Sequence, residues 1–331
     1  MIIRTTSHPR AGLVGNPSDG YYGKTISFLF RNFEAEVVLY ETPELEILPN
    51  ARDKSVYPSI RHLSQDVGIY GYYGGIRLLK AAIKRFHDYC AEHGIELDDR
   101  NFTLRYQTDI PHQVGLGGSS AIVTAAFRAM CAFFEVEIPT PILANIVLAV
   151  EREELSISAG LQDRVVQAYG GMVYMDFARE HMEAQGYGYY EPLDPALLPP
   201  LYIAYDATLA ERSDVFHNNI RDRFNRGETS VVEAMRFWAE LTDSVRDALR
   251  EGRKAAVGPL LNANFDKRRE IYRISERNIN MVETARSLGA SAKFSGSGGA
   301  IVGTYEDEAM FEKLEESFRP MGIRVLRPEY V

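Results

Sequence analysis

The chain has 331 residues, 45% of them hydrophobic and 25% charged, which is enough apolar matter for a true core and leaves room for two domains. A net charge of −9 argues against a nucleic-acid partner, which demands a basic footprint, and no run approaches the ~20 apolar residues of a membrane span. Two cysteines, Cys90 and Cys131, exclude a disulfide framework and read as buried reduced thiols. The opening MIIRTTSHPRAG lacks an apolar signal core, so the expectation is a cytoplasmic protein without nucleic-acid or membrane partners.

Residues 1–7 read as a short strand, and 8–24, dense in Gly, Pro, Asn and Asp, as a loop that returns to a strand near Thr25. Phe33 to Tyr40 alternates as a half-buried antiparallel strand, whereas 41–66 is polar and irregular. Gly75 to His93 has helical period and Gly94 ends it. Phe102, Leu104 and Tyr106 alternate as a strand that leads into a glycine-rich loop and a helix. The next helix reads from Pro141 to about Leu155, with Thr140 as N-cap. A short one follows at Leu161 to Tyr169, stopped by Gly170 and Gly171, and then MVYMDF forms a strand. Residues 178–200, rich in Tyr, Gly and Pro, are the best domain junction. Beyond a strand at Leu201 to Tyr205 the pattern is mostly helical, at 214–226, 230–251, 255–273 and 276–288. A GSGG turn, the strand AIVGTY, a helix at 306–319 and the strand IRVLRP close the chain. This alternation lacks the regular βαβ rhythm, so the expected class is α+β in two domains, 1–185 and 186–331.

The stretch with the clearest chemistry is PHQVGLGGSSAIVTAAFRAM, Pro111 to Met130. Gly115, Gly117 and Gly118 let backbone N–H groups approach an anion, and a helix starting behind them aims its positive end at the same point. Ser119 and Ser120 can cap that helix or reach a phosphate-bound metal. An ordinary loop with a good N-cap reads the same way. Two familiar patterns fail here. GYYGKT ends like a P-loop, but Ser18 stands where its first glycine belongs, and GLGGSS ends on Ser120 rather than glycine and lacks a following ribose-binding acid. The seven histidines are scattered and suggest no zinc site.

Three motifs in order resemble the GHMP kinases, the family of galactokinase, homoserine kinase and mevalonate kinase. They are RAGLVGNPSDGYYGKT from Arg10, the Pro111 stretch with one extra small residue, and AKFSGSGGAIVG from Ala292 to Gly303. The resemblance implies a two-domain fold, with an N-terminal domain like the second domain of ribosomal protein S5 and a ferredoxin-like C-terminal domain. It implies ATP and Mg²⁺ as cofactors and a small-molecule sugar as partner, and it leaves the oligomeric state open. ATP phosphates would lie on Gly115, Leu116, Gly117, Gly118, Ser119 and Ser120, and Mg²⁺ on Ser120 and Glu151. Asp163, seven residues before Gly170, matches the catalytic aspartate, and Arg10 replaces the lysine of mevalonate kinase-like members. Asp19 matches the sugar-binding aspartate of galactokinases, although Asn16 and Pro17 depart from their Glu-His. Gly296, Ser297, Gly298 and Gly299 would line the phosphate and substrate side.

The wording of GNPSDGYYGKT, NFDKRR and AKFSGSGGAIV most resembles the sugar-acid branch, which phosphorylates the anomeric hydroxyl of D-glucuronate. Heptose phosphate, galactose and mevalonate remain alternative substrates. A non-catalytic sugar- and ATP-binding regulator and a nucleotide-dependent oxidoreductase are readings from other classes. A uronate needs a cation, for which Arg164, Arg212, Arg221 and Lys24 are candidates; Arg212 stands out because TLAERSD links a strand to a helix. The run NFDKRRE at 264–270 reads as a helix face, and the tyrosines at 21, 22, 70, 72 and 73 as packing or stacking groups.

Overall fold

A computed structural model of the chain describes residues 1–50, 53, 59–63, 74–206 and 214–331, giving only the backbone for 214–219. The first half runs β1 (Ile2–Ser7), β2 (Arg10–Val14), β3 (Lys24–Leu29), β4 (Ala35–Thr42), β5 (Glu46–Leu48), α1 (Gly75–Glu92), β6 (Asn101–Thr108), α2 (Gly118–Phe134), α3 (Thr140–Ala149), α4 (Gln162–Tyr169), β7 (Met172–Asp176), α5 (Arg179–Gln185) and β8 (Tyr189–Leu193). The second half runs β9 (Leu201–Asp206), α6 (Asp214–Asn225), α7 (Thr229–Arg250), α8 (Val257–Ile271), α9 (Glu276–Ser287), β10 (Lys293–Phe294), β11 (Ala300–Thr304), α10 (Glu308–Phe318) and β12 (Ile323–Leu326).

The described strands form three four-stranded sheets, ordered β1-β4-β6-β5, β2-β3-β7-β8 and β10-β11-β9-β12. The third is wholly antiparallel, and its order is the ferredoxin-like one that the resemblance implies. Helix α2 lies at the centre of the first half. Its AIVTAAF run is buried almost all round, because alanines let neighbouring elements approach closely. Amphipathic α1 covers it, with Phe86 against Phe127 and Phe134 at ring separations of 6.0 and 5.9 Å. One apolar core takes in Leu13, Phe28 and Phe127 from the first half and Leu241, Leu261 and Val302 from the second. The two halves are therefore packed together, and the glycine-rich motifs meet where they join. No described helix is long and apolar enough to cross a membrane.

Four details depart from the sequence reading. Arg10–Val14, expected as loop, is a fully buried strand; Gly and Pro around it mask the short run RAGLV, which pairs with β3. Strand β8 lies beyond the boundary expected at 185, yet it pairs with β7, so the sheets of the first half extend to Leu193. Helix α2 has Gly117, not a serine, at its N-cap, and Thr140 is already helical with Pro139 as the cap. The helix expected to reach Leu155 changes at Val150–Glu154 into one π-helical turn, a feature that often marks functional sites.

Candidate active site

Strand β2 threads between the other two motifs. The Arg10 N–H donates to the Leu116 carbonyl at 3.0 Å, and the Gly12 N–H to the Ser295 carbonyl at 2.8 Å. Gly115 and Gly117 have φ of +69° and +73°, which side-chain-bearing residues rarely adopt. A Cβ on Gly115 would lie 2.9 Å from the Gly298 carbonyl, and one on Gly296 would lie 2.4 Å from the Gly115 carbonyl. The second and third motifs thus touch backbone to backbone. Gln167 and Ser120 both donate to the Gly117 carbonyl, at 2.9 and 3.0 Å, and fix the loop ahead of the helix.

Asp163 is the hub of the acids. Its Oδ1 accepts from Arg10 Nε at 2.5 Å and its Oδ2 lies 3.2 Å from Arg164 Nη1. Burial alone would raise this carboxyl, but the charges of Arg10 and Arg164 outweigh it and hold the group below its ordinary value. The side chain keeps 13% of its surface exposed, enough for a small hydroxyl to reach it. Arg10 Nη1 also donates to the Gly115 carbonyl at 2.5 Å, so one guanidinium ties the carboxylate to the glycine loop.

Glu151, on the π-helical turn, is buried against Arg164, whose Nε and Nη2 both donate to its Oε2. Burial pushes its carboxyl up against the pull of Arg164. The other carboxylate oxygen accepts no hydrogen bond from the described residues; it and the Ser120 hydroxyl are hard oxygen donors of the kind that could hold Mg²⁺. Among the described residues no three His, Cys, Asp or Glu side chains gather as an all-protein metal cage.

Asp19 sits on a 3₁₀ turn, Ser18–Tyr21, and reaches across to the segment before Asp163. Its Oδ2 accepts from the Gln162 N–H at 3.4 Å, and a Cβ on Gly160 would fall 2.2 Å from that oxygen. Burial, reinforced by the charge of Asp163, raises its carboxyl to about 6. The candidates for cradle, base and sugar ligand therefore share one locus. Arg212 lies outside the described residues, as do the tyrosines at 70, 72 and 73. Lys24 is engaged by Asp243 at 2.8 Å and Asp176 at 3.2 Å, and Arg164 by Glu151 and Asp163.

The 264–270 run is more than an exposed helix face. On α8, Leu261, Asn264, Phe265 and Arg268 are all buried. Asn264 accepts from the Gly15 N–H at 2.7 Å, and Arg268 donates to the carbonyls of Gly296 and Ser297 at 2.9 and 3.1 Å. The signal was present as polar residues at i+3 and i+7 of an apolar stripe starting at Leu261. Lys293 is a second site residue that sequence reasoning missed. Its buried Nζ donates to the Gly12 carbonyl at 2.6 Å and to Asn16 Oδ1 at 2.5 Å, and burial with the charges of Arg268 and Arg10 drives it well below its ordinary value.

The glycine loop ahead of α2, Asp163 between two arginines, and Asp19 on its 3₁₀ turn therefore meet in one place. Residues 77–171 match the family model for the GHMP kinases N terminal domain and 245–320 that for the GHMP kinases C terminal domain. Glucuronokinase 1 of Arabidopsis thaliana is 43% identical over 327 residues, covering 97% of this chain and 90% of that protein. Probable glucuronokinase 2 of the same plant is also 43% identical, over 98% of this chain and 90% of its own length. The structure of Lactococcus lactis galactokinase complexed with galactose superimposes with a TM-score of 0.78 at 15% identity, covering 99% of this chain and 93% of that one. The chain belongs to the GHMP kinase family and has its two-domain fold.

Proposed function

We propose that the protein transfers the γ-phosphoryl group of ATP to the anomeric hydroxyl of D-glucuronate, giving glucuronate 1-phosphate and ADP. The observation that carries the reading is Asp163, kept ionised by Arg10 and Arg164, with Arg10 also bonded to the glycine loop. The choice of sugar is supported by 43% identity to the two glucuronokinases over nearly the whole chain. Gly115 to Ser120 cradle the triphosphate with backbone N–H groups and the helix start. Gly296 to Gly299 close the cleft from the other domain, and Asp19 accepts hydrogen bonds from sugar hydroxyls.

Asp163 orients the attacking hydroxyl and takes its proton as the new O–P bond forms. The bond from the γ-phosphorus to the bridging oxygen breaks, and ADP leaves. Arg10 stabilises negative charge at the loop as it shifts toward the leaving group. Mg²⁺, where bound, neutralises phosphate oxygens, and Ser120 with the free oxygen of Glu151 would hold it.

An ADP-release assay across D-glucuronate, D-galacturonate, galactose, a heptose phosphate and mevalonate tests the substrate. Glucuronate is expected to have the highest kcat/KM, with the product phosphorus coupled to the anomeric proton by NMR. Turnover of another acceptor without glucuronate would replace the sugar assignment. Binding of both ligands without ADP release would replace the enzyme by a regulator.

A further inference from the structure

We infer that Arg221 on α6 recognises the carboxylate of the sugar acid, an assignment that rests on the glucuronate reading above. A uronate brings a negative charge into a site that already holds Asp19 and Asp163, which favours a cation to meet it. Among the described residues, which do not include Arg212, most cations around the site are already engaged. Arg10 is bonded to Asp163 and Gly115, and Arg164 to Glu151, Gly160 and Asp163. Lys24 faces Asp176 and Asp243, and Lys293 is buried between Gly12 and Asn16. Arg268 has both terminal nitrogens on backbone carbonyls, leaving only its Nε without a partner among the described residues.

Arg221 differs on each count. It is exposed, and it makes no ion pair or hydrogen bond with the described residues. Its guanidinium lies 4.1 Å from the centroid of the Tyr21 ring, two residues along the chain from Asp19. A Cβ on Gly20 would come within 3.0 Å of its Nη2, so the fork rests against the backbone beside the sugar-type acid. Tyr21 is clasped from the same helix by Phe224, edge-on at 5.0 Å, since residues three apart share one helix face. The guanidinium lies over the Tyr21 ring while the residue stays exposed, so its N–H groups are left to meet a carboxylate, which an arginine fork can grip with two parallel bonds. The buried charge of Arg268, over Tyr272 and Phe294 behind the same turn, adds to the positive field.

The test compares D-glucuronate with its neutral isostere D-glucuronamide in the full-length protein, R221Q and R221K. The unsubstituted protein is expected to prefer glucuronate by about 10–100-fold in kcat/KM, the range of a charge-assisted bidentate pair. In R221Q that preference should fall to within about threefold, through KM for the sugar, with the KM for ATP and the melting temperature unchanged. R221K should recover part of it as a point charge without the fork. If R221Q keeps the preference while glucuronate is turned over, the Arg221 assignment is overturned and the glucuronate reading stands. If the unsubstituted protein does not turn over glucuronate, both are overturned.

Discussion

The two sides of the candidate site solve their electrostatics differently. On the side proposed to hold the phosphates, Asp163 and Glu151 are matched by Arg10 and Arg164, and the glycine loop is held by Arg10, Gln167 and Ser120. On the side proposed to hold the acceptor, Asp19 is a raised carboxyl with no cation in direct contact among the described residues. Arg268 and Arg221 have no ion-pair partner among the described residues, and Lys293 bonds only to a carbonyl and an amide. The first region is self-consistent before any ligand arrives, which suits a donor common to a family. The second is left electrostatically incomplete, which suits recognition completed by a particular acceptor.

The largest effect should come from breaking the matched side at its hub. Asp163→Asn removes the proton acceptor and leaves Arg10 and Arg164 facing a neutral amide. A fall in kcat of about 10²–10⁴ is expected, the usual contribution of a positioned general base. ATP affinity, read by calorimetry, should stay within a few-fold, because the backbone cradle is untouched. Turnover within tenfold of the parent would remove Asp163 from the chemistry.

Glu151→Gln separates structure from metal binding on the same side. It leaves the buried Arg164 guanidinium with Asp163 as its sole carboxylate partner among the described residues, so stability should drop by about 3 kcal/mol, measured by the denaturant midpoint. The Mg²⁺ concentration for half-maximal rate should rise as well. A stability loss with unchanged Mg²⁺ dependence would make Glu151 a purely structural partner of Arg164.

The acceptor side should show a smaller, pH-dependent signature. A carboxyl raised to about 6 is protonated below that pH and accepts hydrogen bonds poorly, so kcat/KM for the sugar should fall as pH drops through about 6. Asp19→Asn should abolish that limb. For stability the sign is the reverse of an ion-paired acid. A raised folded value favours folding at low pH, and this contribution is lost as pH rises through about 6. Asp19→Asn should therefore raise the melting temperature modestly at pH 8 and have little effect at pH 4. An unaltered acid limb would place the titrating group elsewhere.

Much of this molecule was legible as pattern. The helices at 75–92, 214–225, 229–250 and 276–287 announce themselves by period and punctuation, and the three glycine motifs carry the family resemblance. Arg10–Val14 was not legible, because five buried residues framed by Pro9 and Gly15 look like part of a loop until β3 pairs with them. Nor was the pairing of Glu151 with Arg164. They are thirteen residues apart with a break in the helix between, and that separation has no periodic signature. Arg268 was misread because charge in sequence suggests solvent, whereas here carbonyls of the GSGG turn replace the water.

The order of residues was sufficient for most of the element types and for the family. These depend on local geometry and on short spacings that any fold must respect. Which cations are committed and which are left for a ligand was decided by packing. Lys24, Arg164 and Arg221 are alike as cations in the sequence, and they become different only when β7, α7 and the π-helical turn bring carboxylates to the first two, while among the described residues none pairs with the third. Charge is a property of a residue, but its neutralisation is a property of neighbours far away in the chain.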